Sequence, residues 1–168
     1  NKLDINNSMF LDNNASVYCG AIFGDKSSDI NIYNSLFENN KAYSEAGAIY
    51  GNTYSDINVD NSTFVNNYAK VFGGAIACNN KTFIEITNSN FENNHADFAA
   101  GAIRANTNST INITSSKFTN NSAIEGGGAI ASNVGSYVYL TNSNLTNNSA
   151  MYGGVAFLTF NTAFTLDS

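Results

Sequence analysis

Few residues in this chain could do chemistry. His95 is its one histidine and Arg104 its one arginine, and Cys19 and Cys78 are its two cysteines. Cleaving a polysaccharide takes clustered Asp or Glu for acid–base work or Ca²⁺, usually beside a Lys or Arg. Asp29 and Asp56 stand at a spacing of 27 and could form half of a cation site; the plainer reading is a solvated pair at a bend. Glu38 and Glu92 stand at twice that spacing, too far for a shared metal if each such period advances one strand spacing. No acid stands in register with Arg104. His95 is expected to be exposed and inert, and no Ser-His-Asp set, Cys-x-x-Cys or phosphate loop is evident. Cys19 and Cys78 are expected to be free thiols, too far apart for a disulfide.

The spacing of 27 matters because the whole chain is written in it. Phe10, Phe37, Phe64, Phe91 and Phe118 recur with that period, followed by Leu145. Ser8, Ser35, Ser62, Ser89, Ser116 and Ser143 form an unchanging column. Asn13, Asn40, Asn67, Asn94, Asn121 and Asn148 form another, and Ala15 to Ala150 a third. Gly-Ala-Ile begins at Gly20, Gly47, Gly74, Gly101 and Gly128, and the sixth copy reads Gly153-Gly154-Val155-Ala156-Phe157. Read in constant register, no residue is inserted or lost before about residue 160. The segments are about 3–29, 30–56, 57–83, 84–110, 111–137 and 138–163, with a seventh starting at 164–168.

Within each copy, apolar residues alternate with variable polar ones, as in Ile30-Asn31-Ile32, the mark of a half-buried strand. No 3.6-residue stripe is present, which excludes helix for most of the repeat. Three short strands per copy are expected: around Ile30–Ile32, from Phe37 toward Ala42, and around Ala48–Tyr50. The Asn residues suit the bends, because Asn tolerates left-handed backbone. The recurring Gly supplies either positive φ or close backbone approach. One copy cannot bury its own apolar face, but stacked copies can, each side chain on its equivalent about 4.8 Å away. The expected fold is all-β: a single-stranded, right-handed, three-sided parallel β-helix of about six rungs, pectin-lyase-like. It should carry internal ladders of Phe on Phe and Asn on Asn. A leucine-rich repeat, the other architecture whose period admits 27, needs a recurring Leu spine, and the seven Leu form none.

Phe64-Val65-Asn66-Asn67 with Gly73-Gly74-Ala75-Ile76, and Phe118-Thr119-Asn120-Asn121 with Gly127-Gly128-Ala129-Ile130, resemble the polymorphic outer-membrane protein repeat of chlamydial autotransporters. The pattern is also similar to Asn-rich adhesin-like surface proteins. The resemblance covers about 160 residues and implies a β-helix displayed outside the cell as a stalk or adhesive passenger. Cys19, Ala46 and Ala100 replace the first Gly, so small size is what that position is expected to require.

Composition agrees with this reading. Proline is absent, asparagine counts 31, and charged residues are only 12%. A net charge of −6 argues against a nucleic-acid partner, and no apolar run reaches the length of a membrane helix. The expected role is a non-enzymatic cell-surface or secreted scaffold, without cofactor or metal. Its partner would be a host or neighbouring-cell glycan or protein, or like subunits end to end. The alternatives are a polysaccharide lyase or hydrolase whose active face lies outside this segment, and a self-assembling extracellular fibre. Tyr18, Phe23, Tyr50 and Tyr54 are the candidate binding patch, read as an outward aromatic face for a sugar or protein.

Overall fold

The computed structural model describes residues 1–167, and all regular structure among them is β. One turn shows the design. Strands Asp29–Tyr33, Leu36–Glu38, Lys41–Ala42 and Ile49–Gly51 follow one another around a closed path. Each then pairs in parallel with its equivalent one period on, Ile30 with Ile57, Phe37 with Phe64, Ala42 with Ala69 and Ile49 with Ile76. The strands stack into four parallel sheets of seven, six, five and six strands, giving a β-solenoid of about six turns. The expected second strand is thus two. Asn39 breaks it at φ 57°, so the Phe and the Ala of each copy lie in different sheets.

Four backbone columns turn left-handed, and their residues explain the composition. One holds Asn7, Asn34, Asn61, Asn88, Ser115 and Asn142, and a second runs from Asp12 and Asn39 to Asn147. Asn is the commonest non-Gly occupant of this region, because its short side chain bonds locally. The last two columns contain Tyr54 and Lys81, and Ala46 and Ala100.

The glycine ambiguity resolves into two columns with two jobs. Gly73, Gly127 and Gly153 have φ near +65°, and Ala46 and Ala100 share it at 57° and 65°, while Cys19 does not. Small size alone is therefore not the requirement, since most turns also need a left-handed residue there. The following glycines meet a steric limit instead. A Cβ on Gly47 would fall on the carbonyl oxygen of Gly74, and one on Gly74 on that of Gly101.

The core is a stack of identical side chains. Phe37, Phe64, Phe91 and Phe118 are fully buried, and successive rings from Phe10 lie 4.6–4.8 Å apart, parallel within 3°. Parallel rings at that separation touch only by slipping sideways, the offset stack their quadrupoles favour. Ile30, Ile57, Ile84 and Ile111 fill the same core.

One register expectation fails. Ser122 bridges Ser149, a full period on, but Gly126 bridges Tyr152 and Ile130 pairs with Ala156, each one position short of a period. The missing residue thus falls in the bend between Ser149 and Tyr152, not after residue 160. Val155, rather than Ala156, takes the place of Ala129, accepting its amide at 3.1 Å. A loop can lose a residue there without disturbing a ladder.

Truncating the ring stack should leave a cavity, so Phe64→Ala is expected to cost about 3–5 kcal/mol. Asn58→Ala, on the outer face of the first sheet, should cost under about 1 kcal/mol; urea unfolding compares them. The glycine columns should respond oppositely. Ala100→Gly relieves left-handed strain and should stabilise by about 0.5–1 kcal/mol. Gly74→Ala forces backbone apart and should destabilise by about 3 kcal/mol or more.

Candidate functional site

Most groups able to do chemistry are committed to holding the solenoid. In the Asn column, each amide from Asn40 to Asn121 serves three partners. Asn67 Nδ2 donates to Asn94 Oδ1 at 3.0 Å and to the Phe37 carbonyl at 2.9 Å. Its Oδ1 accepts both the backbone N–H and the Nδ2 of Asn40, each at 3.0 Å. A buried side chain here must offer two donors and an acceptor at one geometry, and Asn does. In the Ser column, Ser62 Oγ donates to the Asp60 carbonyl at 2.8 Å and accepts the Ser35 amide at 3.0 Å. A second hydroxyl column does the same work. Ser28, Ser55, Thr82, Ser109 and Ser136 each donate to a bend carbonyl, as Thr82 Oγ1 does to Asn52 at 2.7 Å. This column was missed from sequence because Thr82 interrupts the run of Ser.

The aromatic patch divides. Tyr18, Phe23 and Tyr50 do meet, with centroids 5.5–5.8 Å apart. Tyr18 and Phe23 are 49% and 48% exposed, but Tyr50 is only 4% exposed and packs with Cys19, Ala46 and Ala77. Tyr54 stands apart, 55% exposed and left-handed, with Lys81 Nζ 5.2 Å over its ring. The column of Tyr50 therefore does not simply face outward. The bend before the fourth sheet folds over it and makes a second, smaller core.

That second core holds an ion pair. Arg104, 6% exposed, reaches two turns back to Glu45, with Nη1 3.1 Å from Oε2, and its guanidinium lies 3.6 Å over the Phe72 ring. The pair lacks the alignment of a hydrogen bond, so Arg104 Nε and Nη1 and Glu45 Oε2 are buried without a hydrogen-bond partner. Sequence columns could not show this contact, because Glu45 and Arg104 stand in different columns.

His95 is not isolated either. Its Nδ1 lies 2.8 Å from Ser122 Oγ and its Nε2 3.3 Å from Asp97 Oδ1, and Tyr68 Oη donates to Asp97 Oδ2 at 2.7 Å. Burial, then the bond to Asp97, pushes the Tyr68 phenol up to about 12, so it stays a neutral donor. Burial likewise pushes Cys19 up to about 12 and Cys78 to about 11, leaving both as free, protonated, buried thiols. Asp29 is engaged by Asn31 Nδ2 at 2.9 Å, and no group of three or more His, Cys, Asp or Glu converges among the described residues.

The outer face of the third sheet gathers lysines and tyrosines. Lys41 and Tyr68 stand on one side of a floor that includes Ala15 and Ala42, and Tyr43 and Lys70 on the other, around a half-open groove of about 430 Å³. Lys41 Nζ lies 5.0 Å over the Tyr68 ring. Lys70 Nζ lies 4.0 Å over Tyr43 and donates to its hydroxyl at 2.7 Å, and that bond holds the Tyr43 phenol below its usual range.

Fold and packing define the class: a β-solenoid repeat protein built on Phe, Asn, Ser and Gly ladders. A model of the Chlamydia polymorphic membrane protein (Chlamydia_PMP) repeat matches residues 34–52, 61–79 and 115–133, so these three turns are similar to that repeat. Each match spans the second, third and fourth strands with their bends and leaves out the first strand. No curated protein and no solved structure matches the chain.

The ion pair generates a test. Glu45→Ala leaves a buried guanidinium without a counter-charge and should cost about 3–5 kcal/mol. Replacing both partners, Glu45→Leu with Arg104→Met, should recover most of that loss. A double-mutant cycle by thermal unfolding measures the difference.

Proposed function

We propose that this chain is a non-enzymatic, extracellular or cell-surface scaffold, a stiff adhesin-like stalk that displays variable residues on constant rungs. One observation carries the reading. Constancy sits at inward and bend positions, where Phe, Asn, Ser and Gly hold the stack, while outward columns change from turn to turn, as Asn14, Lys41, Tyr68, His95 and Ser122 do. A surface that varies on an unvarying frame suits recognition by a host or neighbouring-cell glycan or protein. The repeat shared with Chlamydia membrane proteins supports a surface location.

A hydrolytic reading has one observation in its favour, the contact of Ser122, His95 and Asp97. Acyl transfer also needs donors for the developing oxyanion. The nearest amides are engaged, Ser122 N–H with the Asn94 carbonyl and Ala123 N–H with that of Ser149. The trio is better read as a clasp tying Tyr68, His95 and Ser122 across successive turns.

Three measurements on the purified chain decide. Binding to cell surfaces by flow cytometry is expected to be saturable. Robust release of fragments from polygalacturonate or alginate, or covalent labelling of Ser122 by a fluorophosphonate, would overturn the scaffold reading.

A further inference from the structure

The groove on the third sheet brings two lysines and two tyrosines together on an otherwise acidic surface. With a net charge of −6, the chain as a whole repels anions. Of its other cations, Lys2 sits 3.1 Å from Asp4 and Arg104 is paired with Glu45, while Lys81 stands singly beside Tyr54 and Lys26 and Lys117 are exposed. Lys41 and Lys70 have no carboxylate within 4.0 Å among the described residues, and each is held against a tyrosine ring instead. Asp97, one period on from Lys70, is already engaged by Tyr68 and His95.

The four side chains alternate. Going along the solenoid axis, one wall reads Lys41 then Tyr68, and the other Tyr43 then Lys70. Cation–π contact steadies each ammonium without neutralising it. Lys70 gives one of its three N–H donors to Tyr43 and keeps two, and Lys41 reaches only the Tyr68 ring. Tyr68 is fixed in turn by its bond to Asp97. Asn14 and Ser16 add an amide and a hydroxyl at the near end. Two unneutralised cations, two tyrosine rings and small polar groups above an apolar floor match an acidic sugar: C–H faces to the tyrosines, hydroxyls to Asn14 and Ser16, carboxylate or sulfate to the lysines. The volume of about 430 Å³ lies within the range of small-ligand sites, and the open side lets a polymer continue beyond it.

We infer that Lys41, Tyr43, Tyr68 and Lys70 form a binding site for an anionic glycan. This rests on the scaffold reading and names a ligand class for it. The site is distinct from the Tyr18, Phe23 and Tyr50 cluster, which shares none of its residues.

Calorimetry of the purified chain with three probes tests it: a heparin-derived tetrasaccharide, a tetragalacturonate and neutral cellotetraose. At least one acidic probe is expected to bind, cellotetraose not, with affinity falling roughly tenfold or more between low and high salt. Sulfated and carboxylated probes distinguish which anion is read. Lys41→Gln with Lys70→Gln should weaken binding about tenfold or more. Lys26→Gln with Lys117→Gln, which makes the same change in net charge at exposed positions elsewhere, should leave it intact. Both lysines of the groove are exposed, so the fold should survive, as circular dichroism would show. The site is overturned if neither acidic probe binds, if cellotetraose binds equally, or if both double variants lose binding alike. Cell binding by wild-type protein that persists in the Lys41→Gln, Lys70→Gln variant would sink this site and leave the scaffold reading standing.

Discussion

Every side chain in this protein lives about one strand spacing from its own equivalent in the next turn, and that constraint sorts the amino acids. A residue is admitted to an inner column only if it can touch a copy of itself. Phe qualifies because parallel rings slip into offset contact, as between Phe64 and Phe91 at 4.8 Å. Asn qualifies because one amide can donate forward and accept from behind, which Asn67 does with Asn94 and Asn40. Asp in that column would place acceptor on acceptor, and Lys would place charge on charge. The scarcity of charge and the absence of proline have the same source. A repeated charge would stack against itself, and a proline would delete an N–H that the next turn uses.

Much of the fold was therefore legible, because repetition converts sequence spacing directly into contact. Phe10 to Phe118 and Asn13 to Asn148 could be read as ladders without knowing the backbone path, since equivalence alone places them together. What depends on the path itself was not legible. The division of glycines into left-handed Gly73 and sterically limited Gly74 needs φ and the carbonyl of Gly101. The residue lost near Met151 was hidden because Gly153-Gly154 matches the triplet Gly126-Gly127-Gly128 in either register, and Ala156 stands 27 residues after Ala129. Strand pairing, not residue type, exposes the shift.

Contacts between different columns account for the rest. Glu45 and Arg104 meet across two turns, and only the folding of the bend over the fourth sheet brings them within 3.1 Å. The same corner shows complementarity of size. Phe72 and Arg104 fill space where Ala77 and Ala99 leave it, and the Phe157 ring occupies the position that a Cβ on Gly126 would take. This corner is a second core in which neighbours differ from one turn to the next, so it has freedom that the Phe and Asn ladders lack. Tyr50 was misplaced for this reason: alternation along its strand correctly points it away from the main core, yet a loop covers it.

Variation then falls where packing makes no demand. The inner columns are locked by identity, and the corner is locked by complementarity. The outer column of the third sheet is bound by neither, because its strands are only two residues long and its side chains stand exposed or half-exposed beyond buried Ala42 and Ala69. There Lys41, Tyr68, His95 and Ser122 succeed one another with no residue repeated. Such a column can change its chemistry turn by turn while every hydrogen bond beneath it stays in place. A β-solenoid of this kind separates the residues that make it stand from those left free to vary on its surface.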